Sequence, residues 1–250
     1  MRRSSALIST ICAPALVLGC ADDDDAELQV FAAASLHSVL AEIAEIYTEE
    51  TGTEVQINAA GSSTLVEQLS HGAAADVLAT ADETTMEQAV ESGLTSGDPE
   101  VFAANHLVLI TPPGNPAEVQ GLSDLQDSAV DTVVCTPQVP CGAATARLAD
   151  SAEVGIQAVS EETSVTDVLG RVRSQEADAG LVYATDALQA VGEVEALELP
   201  GAAEDPNYYP VALLEGASSA EAGMEFIDFL LTNEQAQQIL QEAGFTEVDR

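Results

Sequence analysis

Leu28-Gln29-Val30-Phe31-Ala32-Ala33-Ala34-Ser35-Leu36 is the stretch that decides the fold. Residues 28–34 form a short apolar run with the length and composition of a buried strand. Ser35 interrupts it. Beyond that serine, Leu36, Val39, Leu40, Ile43 and Ile46 recur at helical spacing until Gly52, a residue suited to ending a helix. A buried strand that passes through a hydroxylic residue into an amphipathic helix is half of the βαβ arrangement of α/β proteins.

The same unit recurs along the chain. Val55-Gln56-Ile57 reads as a second strand, and Thr64 with Glu67 reads as a capping box for a helix carrying Leu65, Val66 and Leu69. Residues 75–79 predict a third strand, followed by a helix around Met86 and Val90. His106-Leu107-Val108-Leu109-Ile110 is a strong strand that runs into the proline-rich loop 111–116. Thr132-Val133-Val134-Cys135 and a helix over about 143–149 form another unit. A short helix carries Val165, Val168, Leu169 and Val172, and Gly180-Leu181-Val182-Tyr183 is the strand after it. Val211-Ala212-Leu213-Leu214 is a late strand. Two helices follow, over 220–231 and 233–242, the first opened by Ser218 with Glu221 three residues on. No linker separates these last elements, so they can return to the first lobe.

The N-terminus reads as an export signal. Arg2 and Arg3 precede an apolar run over 6–18, too short to span a bilayer, and small residues lead to Cys20. Val17-Leu18-Gly19-Cys20 resembles a bacterial lipobox, with Cys20 as the lipidation site; the alternative is an ordinary signal cut nearby. Residues 1–19 are then a signal peptide, and 20–25, with the run Asp22-Asp23-Asp24-Asp25, a lipidated cysteine on a solvated acidic tether. The expected location is extracytoplasmic, anchored by lipid to the membrane.

Charge excludes several function classes. The whole chain has a formal net charge of −37, with no lysine among its six basic residues. Without Arg2 and Arg3, four arginines face 43 carboxylates, a formal charge of −39. Nucleic acid and anionic membrane faces are excluded as partners, since they need positive surface. So acidic a surface fits a high-salt habitat, where screening weakens self-repulsion. Cys135 and Cys141 both belong to an oxidising compartment. A disulfide between them, two buried thiols and a metal site are all open readings.

Several strands end at small or hydroxylic residues that open a helix: Ala34-Ser35-Leu36, Gly61-Ser62-Ser63-Thr64, Pro140-Cys141-Gly142 and Thr163-Ser164-Val165. Each such start offers unpaired backbone N–H groups and the positive end of a helix dipole. Taken singly, each hydroxyl is a helix cap. Converging at the carboxyl ends of strands, they form an anion site built from neutral donors.

The order and wording of these segments resemble the molybdate-binding proteins of ABC importers. The matching words are Val30-Phe31-Ala32-Ala33-Ala34-Ser35-Leu36, Gly61-Ser62-Ser63-Thr64-Leu65, residues 75–82, Asn105-His106-Leu107-Val108-Leu109, Val139-Pro140-Cys141-Gly142, residues 180–186 and Tyr209-Pro210-Val211-Ala212. The resemblance runs from about residue 27 to Ala243-Gly244-Phe245-Thr246. It implies a two-lobed periplasmic binding protein fold of type II, α/β, each lobe a mixed sheet flanked by helices, joined by two crossovers. Lobe 1 is expected over 26–105 plus 208–250, and lobe 2 over 106–207.

It further implies that a molybdate or tungstate oxyanion is held by the hydroxyls of Ser35, Ser62 and Tyr183 and the amides of Cys141 and Val165. The partner is the membrane permease of an ABC transporter; the protein is a monomer with no catalytic residue, no resident cofactor and no free metal cation. A site of pure donors suits an oxyanion with no proton, and size alone separates molybdate from sulfate.

Rival readings are the same fold binding another oxyanion such as sulfate, and a secreted serine hydrolase using Ser35 or Ser62. His37, His71 and His106 lack metal-ligand spacing. Asp76, Asp82, Asp178 and Asp186 read as solvated or capping carboxylates, and Met86, Phe226 and Phe229 as core.

Overall fold

The computed structural model describes residues 27–248; the export segment, Cys20 and the aspartate tether lie outside the described residues. The described residues form ten strands: β1 (Glu27–Ala33), β2 (Glu54–Ala60), β3 (Val77–Ala79), β4 (Glu100–Asn105), β5 (Leu107–Thr111), β6 (Thr132–Cys135), β7 (Ala158–Glu162), β8 (Ala179–Tyr183), β9 (Glu195–Glu198) and β10 (Asn207–Leu213). The α-helices are α1 (His37–Thr51), α2 (Ser62–Ser70), α3 (Glu83–Glu91), α4 (Pro140–Ser151), α5 (Val165–Arg173), α6 (Ala184–Gln189), α7 (Ala220–Thr232) and α8 (Glu234–Glu242).

The strands build two five-stranded mixed sheets, ordered β2-β1-β3-β10-β4 and β7-β6-β8-β5-β9. In the first, β1 runs parallel to β2 and β3, while β10 lies antiparallel between β3 and β4. In the second, β6 is parallel to β7 and β8, and β5 is antiparallel to β8 and β9. The chain leaves the first sheet after β4 and returns to it at β10, so two connections join the lobes. This is the expected fold class.

Strand alternation explains the core. Leu28, Val30 and Ala32 of β1 face one side of the first sheet and join the main cluster; Phe31 faces the other, with Leu65, Leu78 and Met86. Tyr47 of α1 meets Phe226 and Phe229 of α7 edge-on, at centroid distances of 5.2 and 5.3 Å. These contacts bind the C-terminal helices to the first lobe.

Two local expectations are corrected. Thr64 and Glu67 form no capping box: α2 begins earlier, at Ser62, because Gly61 with extended backbone serves as its cap. The cap of α7 is Ser219, and the Ser218 hydroxyl instead donates to Asp76 Oδ1 at 3.0 Å. Strands β4, β7 and β9 and helix α6 had no counterpart in the sequence reading.

Candidate functional site

The five residues singled out from sequence line one small cavity, about 20 Å³, at the meeting of the lobes. Each reaches it from an element end. Ser35 sits in the 3₁₀ turn Ala34–Leu36 after β1, and Ser62 is the first residue of α2. Cys141 is the second residue of α4, Val165 the first of α5, and Tyr183 the last of β8. No lining residue carries a charged side chain.

The donors follow from helix geometry. N–H groups of a first helical turn have no acceptor within the helix. Pro140, at the first position of α4, has no N–H, so Cys141 presents the first one there. At α5 the cap Ser164 accepts the Asp167 N–H at 3.2 Å and donates to the Asp167 carboxylate at 2.7 Å, which commits that hydroxyl to the helix itself. Three helix dipoles therefore direct their positive ends at one small space.

The hydroxyls are held from behind. Ser62 Oγ accepts the Ala81 N–H at 3.0 Å, and Ser35 Oγ lies 3.2 Å from the Tyr209 hydroxyl. Tyr183 Oη accepts from Asn207 Nδ2 at 2.8 Å. Tyr209 and Asn207, both in β10, had no role in the sequence reading. Tyr209 appeared only within the word Tyr209-Pro210-Val211-Ala212, and Asn207 gave no signal; the β10–β4 register shifts between Tyr209 and Pro210, a local irregularity in the ladder.

Burial dominates the electrostatics. It raises the Tyr183 and Tyr209 hydroxyls well above the ordinary phenol range, so both stay protonated. It also lifts the Asp186 carboxyl to about 7, opposed by the hydrogen bond from the Tyr183 N–H. That N–H reaches Asp186 Oδ2 at 3.1 Å and ties the start of α6 to the site.

Cys135 and Cys141 are joined by a disulfide, with Cα atoms 5.7 Å apart. The bond ties the end of β6 to the first turn of α4, the turn that presents the Cys141 amide. The bend is tight. A Cβ on Gly142 would fall 1.9 Å from the Thr136 carbonyl oxygen, so only glycine fits there.

The lobes touch around the cavity. Ser63 Oγ donates to the Gln138 carbonyl at 2.9 Å, and Ser38 Oγ to Gln189 Oε1 at 2.7 Å. A Cβ on Gly61 would lie 2.4 Å from the Thr163 carbonyl oxygen of the opposite lobe. Near the connections, Asn105 Nδ2 donates to Thr185 Oγ1 at 2.8 Å. This is a closed arrangement.

The remaining candidates stand apart from this chemistry. His106 pairs with the exposed Glu198 at 3.3 Å, and no group of three or more metal-ligating side chains occurs among the described residues. Asp76, Asp82 and Asp178 accept backbone N–H groups, from Gln29 and Ser219, from Thr85, and from Asp131. Asp76, Asp82 and Asp186 are buried, so these three cap and brace the fold instead of facing solvent. Met86, Phe226 and Phe229 are core.

Two mixed α/β lobes, twice connected and closed over a cavity of neutral donors, define a solute-capturing protein of the periplasmic binding type. The chain belongs to the family of bacterial extracellular solute-binding proteins, which matches residues 28–246. It is 41% identical over 217 residues to the molybdate-binding protein ModA of Mycobacterium tuberculosis, an alignment covering 86% of this chain and 83% of that one. Among solved structures, the periplasmic molybdate-binding protein of Azotobacter vinelandii matches with a TM-score of 0.74 at 21% identity, covering 89% of this chain and all of that one. The sulfate-binding protein SubI of Mycobacterium tuberculosis matches with a TM-score of 0.76 at 17% identity, covering 90% and 88% of the two chains. At these identities the two structures bear on the fold alone.

Proposed function

We propose that this protein captures molybdate or tungstate outside the cytoplasm and delivers it to the membrane permease of an ABC importer. The observation that carries the proposal is the cavity itself. Ser35, Ser62, Cys141, Val165 and Tyr183 converge on it from both lobes, with no charged side chain in its lining. Molybdate is a dianion without a proton, so aimed N–H and O–H dipoles satisfy it and no acceptor is needed. Neutral donors also suit a chain with four arginines after its export segment. The 41% identity to a molybdate-binding relative supports the choice of anion. Closure of one lobe on the other buries the anion and displays occupancy to the permease.

Sulfate is the rival, because a sulfate-binding protein shares the fold. The sequence Val17-Leu18-Gly19-Cys20 supports a lipid anchor at Cys20, and no helix of the described residues is long and apolar enough to cross a membrane. The test is thermal melting with molybdate, tungstate, sulfate and phosphate added separately, since a bound anion raises the melting temperature by mass action. Molybdate and tungstate are expected to raise it most. A rise with sulfate and none with molybdate overturns the assignment.

A further inference from the structure

Asn207 opens β10 at the return to the first lobe, buried to 4% exposure, and its carboxamide meets three groups. Nδ2 donates to the Ala81 carbonyl at 2.9 Å and to Tyr183 Oη at 2.8 Å, and Oδ1 accepts from Arg147 Nη2 at 2.8 Å. Chemistry permits one orientation of this amide. A backbone carbonyl only accepts and a guanidinium only donates, so the NH₂ must face Ala81 and Tyr183 while the oxygen faces Arg147. Arg147 is held in turn by Asp205, with Nε 2.9 Å from Oδ2.

The consequence falls on Tyr183. A phenol has one proton to give and accepts on the other side of its oxygen. With an Asn207 N–H filling the acceptor side, the Tyr183 proton is turned away from Asn207. Ala81 serves both sides: its carbonyl anchors Asn207, and its N–H occupies one of the two lone pairs of Ser62 Oγ. One residue's backbone thus engages hydroxyls on both sides of the cavity from the acceptor side, and the only partner left to the Tyr183 proton among the described residues is the adjacent Tyr209 hydroxyl, itself within 3.2 Å of Ser35 Oγ.

We propose that Asn207, oriented by Arg147, is a positioning residue that sets the Tyr183 hydroxyl as a donor toward the cavity, and thereby makes the site favour oxyanions without a proton over those that keep one. This rests on the oxyanion reading above. A protonated oxyanion brings a donor that needs an acceptor, and a hydroxyl locked in the donating sense cannot supply it.

The test is Asn207→Asp, a near-isosteric change that turns two donors into acceptors. The new carboxylate takes the Tyr183 proton, leaving the phenolic oxygen to present a lone pair to the cavity. Affinities are measured calorimetrically for molybdate and for hydrogen arsenate, at a pH where arsenate is a singly protonated dianion. The two probes carry equal charge, so general repulsion by the added carboxylate cancels in their ratio.

The expected result is a fall in the molybdate-to-arsenate affinity ratio of about tenfold or more, the scale of one buried hydrogen bond to a charged group. In a Tyr183→Phe background the same substitution should leave the ratio unchanged. Equal weakening of both anions, or the same shift with and without the tyrosine hydroxyl, overturns the proposal. Should the aspartate variant not fold, Asn207→Leu serves: it frees the acceptor side of Tyr183 without adding charge, and the ratio should move the same way. An unmoved ratio there is equally fatal. Failure of the parent protein to bind molybdate refutes the oxyanion reading instead, and is seen before any variant is made.

Discussion

The side chain of Ser62 and the backbone of Ala81 are bound to each other across the first lobe, with the serine oxygen accepting the Ala81 N–H at 3.0 Å. Ser62 opens α2, and Ala81 follows β3. The bond therefore fixes a helix start against a strand end while leaving the serine proton free for the cavity. In the proposed function one hydroxyl serves both structure and capture.

Ser62→Ala should damage both functions. Binding of molybdate loses a donor to a charged ligand, about 1.5–3 kcal/mol or roughly 10- to 150-fold in Kd. The ligand-free protein also loses about 1–3 kcal/mol, because the Ala81 N–H is left buried and unpaired. Calorimetry and denaturant unfolding measure the two separately; a variant with parental affinity would remove Ser62 from the site.

Gly61→Ala should act on closure. The added methyl would sit 2.4 Å from the Thr163 carbonyl oxygen across the cleft, which closed lobes cannot accommodate. Separation of the lobes would carry that carbonyl away and relieve the clash. Affinity is expected to fall at least about tenfold while the ligand-free melting temperature changes little. Small-angle scattering with saturating molybdate should show a more open particle than the parent; parental compaction would contradict the closed geometry.

Replacing both Cys135 and Cys141 by alanine should lower stability by about 2 kcal/mol, the entropy of a short cross-linked loop. Binding should weaken by less than about tenfold, since position 141 contributes its amide and not its sulfur. A complete loss of binding at a temperature where the variant remains folded would show that the bond shapes the site more than this allows.

Asp186 makes stability depend on pH. Burial raises its carboxyl from 3.8 to about 7 in the folded protein, so its neutral form favours folding. Its contribution is full below about pH 4, is lost as pH rises toward 7, and is flat above. Asp186→Asn keeps an acceptor for the Tyr183 N–H and removes the charge. It should exceed the parent in stability at pH 8 by up to ~4 kcal/mol, because each tenfold change in proton affinity is worth about 1.4 kcal/mol, and the advantage should vanish near pH 4. Parallel stability–pH curves for the two proteins would count against this account.

Much of the fold was legible because its strands are buried on both faces. Residues of β1, β5 and β8 read as continuous apolar runs, and their helices follow at regular spacing. Strands β7 and β9 lie at sheet edges, largely exposed; Glu-Ala-Leu-Glu in β9 carries no strand pattern, and pairing with β5 decides it. The proposed ligand set came only through family wording, since a serine at a helix start reads as a cap by itself. Asn207 and Tyr209 were out of reach. Their roles depend on β10 entering the first sheet between β3 and β4, a long-range pairing that local pattern does not encode.

Anomalous diffraction at the metal edge, from crystals grown with molybdate, locates the bound anion. One strong peak is expected inside the cavity, within hydrogen-bonding reach of Ser35, Ser62 and Tyr183 and of the Cys141 and Val165 amides. A peak anywhere else, or an empty cavity at saturating molybdate, would contradict the proposed function.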